Sequence, residues 1–141
     1  MSVYLDASIL VALLQDEAGS DAAVRYVTDI STPMIVSDFA RGEVTSAISR
    51  RFRTGEIELD KARELLGAMD EWIATAAEAI PTEASDIRLA DQFVRRLLLG
   101  VRMPDAIHLA AAQARDLTVV TFDKHMAMVA EQLRIDVVTP G

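Results

Sequence analysis

No cysteine occurs anywhere in the 141 residues. Disulfides, thiolate metal sites and cysteine nucleophiles are excluded with it, so any metal must be held by oxygen or by the two histidines. That points to a hard cation. Long hydrophobic runs are missing too: no stretch approaches the roughly 18 uninterrupted apolar residues of a membrane span. The apolar opening, Ile9 to Leu14, follows Asp6 and lacks a basic leader, so the expectation is a cytoplasmic protein with no membrane partner. There is no internal repeat, no low-complexity segment and no Pro/Gly/Ser linker. With 51% of residues apolar, enough for one continuous core, the expectation is a single domain over residues 1–141. Positive charge is scarce, with 14 Lys and Arg against 22 Asp and Glu and a net charge of -8. Such a balance counts against a nucleic-acid partner, because phosphate binding rests on a positive field. Acids that bind divalent cations are neutralised locally, however, and a cluster such as Arg50, Arg51 and Arg53 can still steer a phosphate chain.

What is present is an alternation of short apolar runs with helical periods. Val3-Tyr4-Leu5 ends on Asp6, Met34-Ile35-Val36 ends on Ser37, Leu117 to Phe122 ends on Asp123, and Ile135 to Val138 closes the chain. These runs read as buried strands. Ala62, Leu65, Leu66, Met69, Trp72, Ile73 and Ala76 recur at helical spacing from about Asp60. A second helix spans Asp38 to Arg53, capped by Ser37 or Asp38 and broken at Thr54-Gly55, so the two form a hairpin. A third pattern covers Glu83 to Leu99 and stops at Gly100; a fourth begins at Pro104 and runs through Ala106 to Ala114. Strands separated by helices imply an α/β fold with a mostly parallel sheet.

Four acids occupy informative places. In open α/β sheets the ligand sits beyond the carboxyl ends of the strands. Asp6 and Asp123 directly follow apolar strands, and Asp105 stands in the first turn of a helix, right after Pro104. Glu43 has Phe39, Ala40 and Ala47 as its helical neighbours, so it faces the core. A buried carboxylate needs a partner cation, a hydrogen-bond network or a shifted pKa. No Lys or Arg lies three or four residues away on that face, and a metal would answer the need. Carboxylates brought together repel one another unless a divalent ion holds them ionised. Mg²⁺ and Mn²⁺ prefer such oxygen shells and keep positions open for phosphate, which leads to metal-assisted phosphodiester hydrolysis. Taken singly, Asp105 reads as a helix-dipole acid and Asp123 as a turn residue. The set of four carries the argument.

The order of these motifs resembles the PIN-domain nucleases, most of all the VapC- and FitB-type toxins of prokaryotic toxin–antitoxin pairs. Val3-Tyr4-Leu5-Asp6-Ala7-Ser8 is similar to that family's opening strand and acid, and Ser37 to Glu43 to its acid-bearing helix. Met103-Pro104-Asp105-Ala106-Ile107-His108 resembles its Pro-Asp helix, and Thr121-Phe122-Asp123 its Thr-x-Asp. One departure is Met126, three residues after Asp123, where relatives often carry Phe; it reads as conservative packing. The resemblance covers nearly the whole chain. It implies a three-layer α/β/α domain, an Mg²⁺- or Mn²⁺-dependent endoribonuclease, Asp6, Glu43, Asp105 and Asp123 as metal ligands, and Ser8 and Thr121 as orienting hydroxyls. It further implies an RNA substrate, a homodimer, and inhibition by a small cognate antitoxin.

Other residues take plainer readings. His108 and His125 are assigned to helix surface or packing, since a two-metal site needs no histidine. No activating base accompanies Ser8 or Thr121, so neither is a nucleophile. Arg50, Arg51 and Arg53 fall in a last helical turn, where the macrodipole favours cations. Arg41 and Arg102, each within three residues of a proposed ligand, are the candidates for holding substrate phosphate. Asp38, Asp86 and Asp91 read as a helix cap and solvated acids, and Leu59, Leu65, Leu66, Met69 and Trp72 as core. A phosphatase of the strand-one aspartate type would need an acid two residues after Asp6, where Ser8 stands. The remaining alternative is a non-catalytic PIN module that binds a DNA-binding antitoxin.

Overall fold

Three short runs of apolar and β-branched residues, β1 (Val3–Leu5), β2 (Met34–Ser37) and β4 (Thr118–Val120), form the centre of the sheet because both of their faces are covered. The structure, a computed structural model, describes residues 2–141. Two edge strands, β3 (Glu78–Ile80) and β5 (Val137–Val138), complete an all-parallel five-stranded sheet in the order β3-β2-β1-β4-β5. Tyr4 pairs with Ile35 on one side and with Val119 on the other. Parallel pairing requires crossovers, and the helices supply them. They are α1 (Ala7–Leu14), α2 (Ser20–Asp29), α3 (Asp38–Arg53), α4 (Leu59–Ala76), α5 (Ala84–Arg95), α6 (Met103–Ala114) and α7 (Lys124–Gln132).

Alternation along the strands divides the core in two. Val3, Leu5, Val36 and Val120 pack beneath α1 to α4, whereas Tyr4, Ile35 and Val119 pack beneath α5, α6 and α7. The result is the expected three-layer α/β/α arrangement. Leu5, Ile9 and Leu109 are wholly buried, each contributing on the order of 1.5–3 kcal/mol relative to an exposed side chain.

Local chemistry sets the helix ends. Ser37 caps α3 by accepting the Ala40 N–H at 3.0 Å. The helix stops where Thr54 turns its hydroxyl back to the Arg50 carbonyl at 2.9 Å and Gly55 takes φ +81°. The hairpin with α4 follows. The third helical pattern is divided: α5 ends at Arg95, a 3-10 turn covers Leu97–Leu99, and Gly100 ends it at φ +63°.

Several local expectations change. Leu59 is exposed and Leu66 and Trp72 are half-buried, because α4 covers the sheet with a narrow stripe of Ala62, Leu65, Met69 and Ile73. Asp86 is not solvated: it is buried, closes a capping box with Glu83, and pairs with Arg115 at 3.0 Å. Among the described residues no helix is long and apolar enough to cross a membrane.

Candidate active site

The chain leaves β1 toward β2 and β3 on one side and returns to β4 and β5 on the other, so the strand order reverses between β1 and β4. Such a reversal opens a crevice beyond the carboxyl ends of the two strands. Asp6 leaves β1 there with its N–H on the Val120 carbonyl at 3.2 Å. It is buried and held from three directions. The Ser8 hydroxyl donates to Oδ1 at 2.6 Å, the Thr121 hydroxyl to Oδ2 at 2.5 Å, and the Ile9 N–H to Oδ1 at 3.3 Å as the cap of α1. Both hydroxyls are themselves pinned, Ser8 by the Phe122 N–H and Thr121 by the Asp123 N–H, each at 3.0 Å. Burial pushes the Asp6 carboxyl above its ordinary range, and the Ser8 and Thr121 hydrogen bonds oppose it.

Asp123 follows β4 and caps α7, its Oδ1 accepting the Met126 N–H at 3.0 Å. Asp105 lies in the first turn of α6 and makes no capping bond. Three helix N-termini therefore point their positive ends at three acids, which offsets part of the repulsion among them. Asp105 remains the strained member. Burial is the largest cause of its raised carboxyl pKa, and the charges of Asp123, Glu43 and Asp6 push in the same direction; a charged His108 would pull the other way.

Glu43 lies on α3 where Phe39, Ala40 and Ala47 place it, half-buried on the apolar face. Its neighbour answers the need of a buried carboxylate in a way that sequence reasoning missed. His108 of α6 brings Nε2 to 2.5 Å from Glu43 Oε1, and its Nδ1 to 2.6 Å from the Tyr4 hydroxyl. His108 is thus buried at 2% exposure and is a packing residue with a polar duty, not a helix-surface one. The available signal was its place among Ala106, Ile107, Leu109 and Ala110, a helix apolar on every side. His125, by contrast, is exposed and meets the Gly100 carbonyl at 3.0 Å.

All four acids come within electrostatic reach at one edge of the sheet. Among the described residues, no three His, Asp or Glu side chains are close enough to hold an ion as they stand. Three of the acids have partners within the chain: Glu43 is on His108, Asp123 on its cap and Asp6 on two hydroxyls. The donor set nevertheless fits a hard divalent cation. It is all oxygen, and a positive ion would relieve the like-charge pressure that raises Asp105.

Of the two phosphate candidates, Arg41 is bound to Asp70 at 2.6 Å, and Arg102 is exposed at the start of α6. Arg50 stands in the last turn of α3, as expected. It lines, with Glu43, Ser46, Phe39, Thr82 and Ile87, an open groove of about 900 Å³ beside α3. Of the four acids only Glu43 reaches that groove.

Comparison with known proteins agrees with this architecture. Ribonuclease VapC46 of Mycobacterium tuberculosis is 31% identical over 99% of this chain and 98% of its own length. FitAcB from Neisseria gonorrhoeae superposes with a TM-score of 0.76 at 15% identity, over 97% of this chain and 96% of that one. VapBC2 from Rickettsia felis, bound to a DNA fragment from its promoter, gives 0.75 at 14% identity over 100% of both chains. At such identities the two structures speak for the fold alone. The PIN domain model matches residues 3–132, nearly the whole chain, and with a relative 31% identical along its length this chain belongs to the PIN domain family.

Proposed function

We propose that this chain is an Mg²⁺- or Mn²⁺-dependent endoribonuclease, one PIN domain over residues 1–141, acting as the toxin of a toxin–antitoxin pair in the cytoplasm. The observation that carries the reading is Asp105, whose carboxyl is pushed up first by burial and then by the charges of Asp123, Glu43 and Asp6, so that acids from four separate chain segments act on one place. Like charges are gathered at such cost where a cation is to be held. Asp6, Glu43, Asp105 and Asp123 are the proposed ligands. A divalent ion bound there supplies Lewis-acid polarisation of the phosphodiester and a more acidic water. Ser8 and Thr121 hold the two oxygens of Asp6 in place, and the N-termini of α1, α6 and α7 steady the acids. Arg102, exposed at the start of α6, is the proposed phosphate contact; Arg41 could serve only by releasing Asp70. A cognate antitoxin partner is supported by a solved toxin–antitoxin complex of the same fold from Klebsiella pneumoniae, and a homodimer is proposed from the family resemblance.

The test is incubation of purified RNA with the purified chain in Mg²⁺, in Mn²⁺ and in chelator, beside Asp105→Asn. Metal-dependent cutting that disappears in the variant is expected. Equal cutting in chelator, or by the variant, would sink the proposal. A second reading, a non-catalytic module that binds a DNA-binding antitoxin, is favoured by one observation: Asp6, Glu43 and Asp123 all find partners within the chain. It predicts no cutting of any RNA and unchanged antitoxin binding by Asp105→Asn.

A further inference from the structure

Every side chain of α6 from Ala106 to Ala112 is buried, and His108 is the polar member of that run. A helix covered on all sides offers an imidazole no solvent, so its hydrogen bonds must come from the protein. The ring is held edgewise by Tyr4, at 5.6 Å between centroids, and tilted against Phe39 at 5.2 Å. With Glu43 ionised and the imidazole neutral, one assignment closes the chain: Nε2 donates to Glu43, so the bare Nδ1 accepts from Tyr4 and the Tyr4 oxygen accepts from Ser37. Ser37 Oγ accepts the Ala40 N–H at 3.0 Å, and its own hydrogen goes to the Tyr4 oxygen at 2.7 Å. Tyr4 then donates to Nδ1 of His108, and Nε2 carries the hydrogen that Glu43 accepts. Each hydrogen is used once and each acceptor is met. Four hydrogen bonds leave α3 at Ala40 and return to α3 at Glu43.

We propose that His108 is a positioning residue for Glu43: the closed relay from Ala40 through Ser37 and Tyr4 grips Oε1 and leaves the other carboxylate oxygen free for a divalent cation. This rests on the reading of Glu43 as a metal ligand. The Glu43 side chain is 31% exposed, so without a fixed donor it would sample several solvent-facing rotamers. Partners that orient a ligand in this way typically govern metal affinity by about 10–100-fold.

The test is Mn²⁺ titration by calorimetry on wild type, His108→Phe, His108→Gln, Glu43→Gln and the His108→Phe/Glu43→Gln pair, with folding followed by circular dichroism. His108→Phe keeps a ring but loses the donor, and should weaken Mn²⁺ binding by about tenfold or more. His108→Gln, whose amide N–H can stand in for Nε2–H, should recover most of that loss. In the Glu43→Gln background the Phe change should add nothing. Wild-type affinity in His108→Phe, or the same loss with and without Glu43, overturns the relay and leaves the metal reading intact. No Mn²⁺ uptake by wild type, or unchanged uptake by Glu43→Gln, overturns the metal reading and the relay with it. Nuclear magnetic resonance of the imidazole nitrogens in the metal-free wild type adds a readout that survives if His108→Phe does not fold. A bare Nδ1 and a protonated Nε2 are expected, and the reverse tautomer overturns the relay.

Discussion

Asp6 and Asp105 are both acids at a helix start, yet their substitution should have different consequences. Asp105 pays for its place in charge, being raised by burial and by Asp123, Glu43 and Asp6, whereas Asp6 is raised by burial and supported by two hydroxyls. A raised folded pKa means that the folded chain binds more protons than the unfolded one in the window above 3.8, the ordinary aspartate value. Stability from this group is therefore full below 3.8 and is lost as pH rises through the folded value. In chelator, Asp105→Asn should be more stable than wild type at neutral pH, and the gap should close as pH falls toward 4, about the ordinary aspartate value. Urea midpoints at several pH values measure it, and a gap independent of pH would exclude the charge cluster as its cause. Thr121 gives the complementary case. Thr121→Val strips a donor from a buried carboxylate oxygen and an acceptor from the Asp123 N–H, at a cost of about 1–3 kcal/mol. Thr121→Ser should recover most of this in the same unfolding assay; a loss as large as that of Thr121→Val would mean that restoring the hydroxyl alone does not restore the stability. At this scale the sequence shows the four acids well, because three follow a strand or open a helix and Glu43 shares a helical face with Phe39, Ala40 and Ala47. It conceals the role of His108, because both of its partners come from other elements, 65 and 104 positions away.

Elements with chemical punctuation are legible, and those without it are not. The bounds of α3 follow from Ser37 at one end and Thr54-Gly55 at the other, and α6 starts one residue before Pro104. Strand β3 escapes notice because it is an edge strand whose Glu78 and Ala79 are exposed, so it has no apolar alternation. Helix α2 escapes because it buries only Ala23, and α7 because its apolar period begins within the turn that follows Asp123. The polar part of the packing of α5 on α6 is likewise invisible in the sequence, as it joins a pair 29 residues apart. Arg115, at the end of α6, donates to both oxygens of the buried Asp86 at 3.0 Å and to the Ala111 carbonyl at 2.9 Å. Burial pushes the Asp86 carboxyl up, but the Arg115 hydrogen bonds, the Glu83 N–H and the Arg115 charge together hold it below its ordinary value. Removing one partner of such a pair strands a charge, and Arg115 is a quarter exposed, so Arg115→Met should cost about 2–3 kcal/mol. Calorimetric or urea unfolding checks the number. A neutral result would mean that α5 and α6 are joined by apolar packing alone.

Over the whole molecule a net charge of -8 and the gathering of four acids at one sheet edge pull the same way: the metal-free fold works against its own field. If the edge binds Mg²⁺ or Mn²⁺, the ion adds stability by mass action, about 2.7 kcal/mol at a hundred times its dissociation constant. For a domain of this size that corresponds to a rise in Tm on the order of 5–10 °C. Asp105→Asn has given up both the repulsion and a ligand, so it should start higher in chelator and rise less with metal. The Tm curves of wild type and variant, plotted against Mn²⁺ concentration, are therefore expected to cross. Crossing requires that the same carboxylate burden the empty fold and hold the ion, which neither a helix-cap acid nor a solvated one would do. Curves that stay parallel at every concentration would mean that Asp105 only crowds its neighbours, and that any ion this chain binds is held elsewhere.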